Sequence, residues 1–265
     1  MSAYLAKAFG ARVKIAVQDQ QLGTGHAVRC ALPSLSPEAE RVFLLYGDTP
    51  LLDAADLKAL AAASAGSASL GMITVKVPDP TGYGRILRDD DGSVIGIREH
   101  KDATVEQRAI DEINPGVYLA RAGFLREAVA ALTPNNAQNE LYLTDIIAQG
   151  AARGEIAVVE APFEEVQGIN DRVDLARAEA IMRRRINEGH LRAGVSLRHP
   201  ETTYIDGDVT IGADSELGPG VVLRGRTRVG ARCLIEAGCV LTEVTIADGS
   251  HLKPYTVAAE SEIGP

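Results

Sequence analysis

The sequence predicts two architectures in one chain, an α/β domain followed by a parallel β-helix. Three observations carry this. Up to about Ile169, short apolar runs alternate with amphipathic stretches. From Asn170 to Ala193 the segment NDRVDLARAEAIMRRRINEGHLRA keeps helical spacing. Beyond Thr203, aliphatic residues return at every sixth position.

In the first part, the runs Val13–Val17, Val42–Tyr46, Leu70–Val75, Gly116–Ala120 and Ile156–Glu160 have the length and apolar content of strands. Pro50–Ala63 and Ala122–Leu132 are spaced as helices, with Pro50 opening the first of them. In the connecting segment Val173, Leu175, Ala176, Ile181, Ile186 and Leu191 share helical spacing, so a long helix is predicted there, capped by Asn170 or Asp171.

The six-residue period starts at Ile205 and runs through Ile211, Leu217, Leu223, Val229, Ile235 and Leu241. Four positions after each stand Val209, Ser215, Val221, Thr227, Cys233, Cys239 and Thr245. A contraction of one residue then resets the frame to Ile246, Leu252, Ala258 and Ile263. This is the hexapeptide pattern of a parallel β-helix, whose aliphatic residue points into the prism while a small residue fills the corner beside it. About three coils are expected. Residues 1–169 then form the α/β domain, 170–203 the helix and connection, and 204–265 the β-helix.

Composition narrows the function. The chain has 265 residues, 46% hydrophobic and 24% charged, which suits a globular protein with room for two cores. A formal charge of −9 argues against nucleic-acid or anionic-membrane partners, which bind through clustered Lys and Arg. No apolar run approaches the roughly 18 residues of a membrane span, and the N-terminal stretch lacks the apolar core of a signal peptide. A cytoplasmic location is the expectation. Cys30, Cys233 and Cys239 form no CxxC pair, so neither a disulfide framework nor a zinc site is indicated, and the latter two occupy the small inward position of the repeat.

Two stretches of the α/β part carry chemistry. In RVFLLYGDTPLL an apolar strand stops at Gly47-Asp48, and ligands of open α/β sheets gather at the carboxyl ends of strands. Asp48 therefore has two readings, a ligand in the crevice or a helix cap. In QDQQLGTGHAV the turn from Gly23 to His26 also has two, a binding loop or a connection whose glycines serve left-handed backbone and whose His26 bonds a nearby carbonyl.

Taken together, QDQQLGTGHAV, LLYGDTPLL, DPTGYGRI, REHKDAT, DEINPGVY, NNAQNELYLTDII, VQGIND and the trailing hexapeptides, in that order, resemble the bifunctional N-acetylglucosamine-1-phosphate uridyltransferase/glucosamine-1-phosphate N-acetyltransferase (GlmU) family. The resemblance covers nearly the whole chain. It implies a Rossmann-like nucleotidyltransferase domain, a left-handed β-helix and a homotrimer. The implied reaction is uridylyl transfer from UTP to N-acetylglucosamine 1-phosphate, giving UDP-N-acetylglucosamine and pyrophosphate with Mg2+. By the same resemblance Gln18, Gly23 and Thr24 hold the uridine; Tyr46, Gly47 and Asp48 lie beside ribose and phosphates; Gly84, Glu99 and Asn114 hold the sugar; and Asp48 with Asn170 binds the metal. Asp48 and Asn170 are accordingly expected to face one crevice. Lys101 is either a cation near the phosphates or a solvated lysine.

The resemblance also implies parts that the sequence does not match. Family members begin with an apolar strand and a Gly-rich loop ending in Thr-Arg-Met, followed by a lysine, and their acetyl-transfer site lies beyond the point matched by Ile263-Gly264-Pro265. The α/β domain is thus expected to be incomplete with exposed apolar edges, the trimer weakened, uridyltransferase turnover slight and the acetyltransferase half absent. The alternatives are a catalytically silent sugar-nucleotide-binding or trimeric scaffold protein, or a related sugar-phosphate nucleotidyltransferase.

Overall fold

The computed structural model describes residues 2–66, 68–154 and 156–265. The chain forms two compact units, Met1–Gly168 and Ile169–Pro265.

The first unit is built on a seven-stranded sheet of β1 (Arg41–Leu44), β2 (Leu70–Lys76), β3 (Gly84–Arg88), β4 (Val94–Arg98), β5 (Glu112–Asn114), β6 (Tyr118–Arg121) and β7 (Ala157–Glu160). Its order is β1-β6-β2-β5-β3-β4, and β7 also pairs with β2. The strand LGMITVK of β2 is buried along all but its last residue, because it is paired on both edges and covered on both faces. Successive side chains point to opposite faces, so Leu70 and Met72 enter one core with Tyr118, Leu125, Ile146 and Ile147, while Ile73 and Val75 enter another with Leu60, Ile113 and Leu119. The sheet is mixed: β2–β7 is parallel and the other pairings are antiparallel.

Two predicted elements differ. Val13–Val17 is not a strand, since no partner strand supplies a ladder, and Ile15 and Val17 stand exposed. The helix expected from Pro50 begins at Ala54, because the Asp53 side chain caps it by accepting from Ala55 N at 2.7 Å. Phe43 and Leu45 are also exposed.

In the second unit the helix runs from Arg172 to Arg192, with Asp171 accepting from the N–H groups of Val173 (2.7 Å) and Asp174 (2.9 Å). Asn187 Nδ2 ties it to the coils through Pro200 O (2.8 Å) and Thr203 O (3.1 Å). Three four-stranded parallel sheets form the faces of the β-helix. Ile205, Leu217, Leu223, Val229, Ile235, Leu241, Ile246 and Leu252 fill its interior, as the six-residue frame predicts.

The β-helix has about four turns rather than three, and it starts before residue 204. Ser196–Leu197, inside the predicted connection, pairs in parallel with Glu216–Leu217 and opens the first turn. The contraction also falls earlier than predicted: Val244 is fully buried while Thr245 points outward, so the short corner lies between Leu241 and Val244. Four of the other small inward residues, Ser215, Thr227, Cys233 and Cys239, serve the corners as donors. Ser215 Oγ donates to Gly230 O at 2.8 Å, Thr227 Oγ1 to Arg224 O at 2.7 Å, and Cys233 and Cys239 Sγ to Ala247 O and Lys253 O, each at 3.1 Å. These four turn carbonyls thereby find donors within the coils. Among the described residues no helix is long and apolar enough to cross a membrane.

Candidate functional site

The turn before the helix Thr24–Ala31 is clamped to the segment preceding Asp145–Ala151. Leu141 N donates to Leu22 O and Gly25 N donates to Leu141 O, both at 2.8 Å, and Thr24 Oγ1 accepts from Leu143 N at 3.1 Å. Gly23 has φ +99°, and a Cβ there would stand 2.6 Å from Leu141 O. The glycine is therefore required first by the approach of its own chain. Its carbonyl accepts from Gln18 Nε2 at 3.0 Å, and the same nitrogen lies 3.1 Å from His26 Nδ1. Gln18, Gln21, Gly23, Thr24, Ala27 and Glu140 line an open groove of about 270 Å³.

Just past β1, Tyr46 packs against the backbone of Gly116, whose φ is +85° and whose absent Cβ would fall within 2.1 Å of the ring. Burial pushes the Tyr46 phenol up to about 12; the charges of Glu99 and Asp48 act in the same direction, and the Thr24 hydroxyl opposes them. Asp48 itself is exposed. A Cβ at Gly168, the last residue of this unit, would stand 3.6 Å from Asp48 Oδ2.

Glu99 follows β4. Its Oε1 accepts from Thr144 Oγ1 at 2.9 Å, and a Cβ at Gly84 would lie 3.4 Å from that oxygen. Gly84 in turn pairs with Asn114 across β3 and β5. Asn114 is buried, with Nδ2 donating to Tyr118 Oη at 2.7 Å and Oδ1 accepting from Gly116 N at 3.1 Å, which leaves one amide hydrogen uncommitted. Contacts thus run from Gln18 through Gly23 and Thr24 to Tyr46, and from Tyr46 through Gly116 to Asn114, Gly84 and Glu99, with Asp48 beside Tyr46.

Burial, the first cause, and the charges of Asp102 and Asp145 raise the Glu99 carboxyl above its ordinary 4.5, against the hydrogen bond from Thr144. A raised carboxyl binds its proton more tightly in the folded state, so its stabilising contribution is complete below about pH 4.5 and is lost as pH rises through the folded value. Glu99→Gln keeps an acceptor for Thr144 and carries no charge. It should melt above the wild type at pH 7.5, with the gap closing toward pH 4.5; a lower melting point at pH 7.5 would contradict the burial argument.

Three expectations fare differently. Lys101 is exposed, and no described contact joins it to these groups. Nothing lies within 4 Å of a Cβ built at Gly47, so that glycine is not required by packing. Asn170 belongs to the second unit, where its N–H donates to Asp174 Oδ2 at 3.2 Å. Sequence reasoning assigned no role to Gly116, Tyr118 or Thr144, although DEINPGVY and NELYLTDII contain them; only their packing reveals what they support.

The family described as nucleotidyl transferase matches residues 3–164. The chain belongs to that family. Residues 208–243 match the bacterial transferase hexapeptide family, described as six repeats. Relatives of this chain include the bifunctional protein GlmU of Sorangium cellulosum (strain So ce56), 54% identical over 270 residues that cover 100% of this chain and 57% of that protein. The bifunctional protein GlmU of Anaeromyxobacter sp. (strain Fw109-5) is 46% identical, with 96% and 52% covered. That of Mycolicibacterium vanbaalenii is 47% identical, with 98% and 55% covered. The chain spans about half the length of the curated relatives it matches.

Proposed function

We propose that the first unit carries the sugar-nucleotide site of a GlmU-type uridyltransferase, which joins UTP and N-acetylglucosamine 1-phosphate into UDP-N-acetylglucosamine with release of pyrophosphate. The observation that carries this is the linked cluster of Thr24, Tyr46, Glu99, Gly84 and Asn114, in a chain 54% identical to a GlmU protein. In this reading the base lies in the groove beside Gln18 and Gly23, and the ribose and phosphates run past Tyr46, Gly47 and Asp48. The sugar meets Glu99 as an acceptor and the free N–H of Asn114 as a donor.

Attack by the sugar phosphate on the α-phosphorus needs positioning and charge neutralisation rather than a protein nucleophile. The exposed Asp48 carboxylate is a hard-oxygen ligand of the kind Mg2+ takes, a cation that keeps most of its shell as water and phosphate. When bound, the ion supplies positive charge for the phosphates. Asp48 would hold it; Tyr46, a neutral phenol, contributes shape and a hydroxyl. A reaction drawing on UTP belongs in the cytoplasm, and the stacked hexapeptide coils suit a homotrimer.

Titration calorimetry tests the site. UDP-N-acetylglucosamine should bind the chain, Asn114→Ala should weaken it about tenfold by removing a hydrogen bond to a polar group, and Asp48→Asn should weaken binding only when Mg2+ is present. Equal affinity in Asn114→Ala, or no binding by the wild type, would overturn the assignment.

A further inference from the structure

The side chain of Gln18 is held by two contacts. Nε2 lies 3.0 Å from Gly23 O and 3.1 Å from His26 Nδ1. A backbone carbonyl can only accept, so the first contact requires the amide nitrogen, not the oxygen, at that place. The second N–H of the same nitrogen then points at His26 Nδ1, which must carry a lone pair; the ring proton belongs on Nε2, 3.8 Å from Cys30 Sγ one helical turn on. Turning the amide over would set Oε1 against Gly23 O and the Nδ1 lone pair, two acceptors facing an acceptor. Both donors of Gln18 are therefore consumed, and Oε1 accepts from no described residue. Gln18 is also one of the residues that line the groove, so what it has left to offer an occupant is an acceptor and no donor.

We propose that His26 is a positioning residue that locks Gln18 as an acceptor-only reader, so that the groove selects a pyrimidine edge with an N–H at its centre over one with a lone pair there. Uracil carries N3–H between two carbonyls and matches Oε1; cytosine has a bare N3 and meets it lone pair to lone pair. This rests on the nucleotide reading above, and it assigns His26 a function in choosing the base without touching it.

Three proteins test the lock: wild type, His26→Asn and His26→Leu, each titrated with UDP and with CDP. The Asn carboxamide oxygen can accept from Gln18 at about the place of Nδ1, whereas Leu frees one amide N–H to serve a bare N3. The wild type should prefer UDP, His26→Asn should keep that preference, and His26→Leu should lose about fivefold of it, the worth of one neutral hydrogen bond. An unchanged UDP/CDP ratio in His26→Leu, or an equal loss in His26→Asn, overturns the role of His26. Independently of binding, long-range proton-nitrogen spectra of the wild-type imidazole should place the ring proton on Nε2; a proton on Nδ1 overturns the lock even if the variants fail to fold. A wild type that binds no UDP while its ring has the expected proton placement overturns the nucleotide reading, and with it the base selection, but leaves the Gln18–His26 contact standing.

Discussion

Gly116→Ala is expected to destabilise the first unit by about 3 kcal/mol, because it combines two costs at one position. The backbone there has φ +85°, a conformation that a residue with a Cβ holds only with strain. The added methyl carbon would also lie 2.1 Å from Cε2 and 2.5 Å from Cδ2 of Tyr46, so the ring must leave its seat. Tyr46 joins Thr24 to the Gly116–Asn114 turn, so the crevice should open with the loss of packing, and affinity for UDP-N-acetylglucosamine should fall with stability. Urea denaturation followed by circular dichroism measures the first effect. Gly47→Ala is the control: a Cβ there has nothing within 4 Å, and its stability should change by less than about 0.5 kcal/mol. Equal costs at the two glycines would refute this account of the Tyr46 seat.

Leu223→Ala is expected to cost the second unit about 3 kcal/mol, the usual range for a leucine removed from a closed core. Leu223 is fully buried and stacks in register between Ile205 and Leu241 on one face of the prism. Each coil of a solenoid contacts only its neighbours, so a cavity in the second of four turns weakens the stacking on both sides. Val257→Ala sits on an outward position that is 77% exposed and should be within about 0.5 kcal/mol of the wild type. A small cost at Leu223 would mean that the coils collapse onto the cavity, against the close packing inferred for the prism.

The elements that were legible in the sequence are those whose signal is local. The interior of the β-helix could be named residue by residue, since a six-residue repeat records which side chain points inward at every step. The long helix was legible for the same reason, with its cap narrowed to Asn170 or Asp171, of which the structure shows Asp171. Where a local rule had two outcomes, the reading slipped by a residue or more: the contraction was placed after Thr245, although Val244 is the buried residue, and the first turn of the β-helix was missed because Ser196–Leu197 precedes the regular period. Val13–Val17 has a strand's composition, but a strand also needs a neighbour to complete its hydrogen bonds, and composition cannot supply one.

In the candidate site, the quoted motifs brought forward most of the residues that the structure links, from Gln18 to Asn114, and they did so through resemblance rather than through spacing. The supporting residues were out of reach for a physical reason. Thr144 meets Glu99 across 45 positions of chain, and Gly116 is needed because Tyr46 packs on it. Such pairings depend on how sheet and loops bring distant backbone together. By itself the sequence determined the order of elements, the inward residues of the coils and the chemical types available to the crevice. The tertiary structure alone decided which acceptor each donor meets, and therefore that the amide nitrogen of Gln18 is taken: a side-chain amide has no preferred face until Gly23 and His26 occupy its nitrogen.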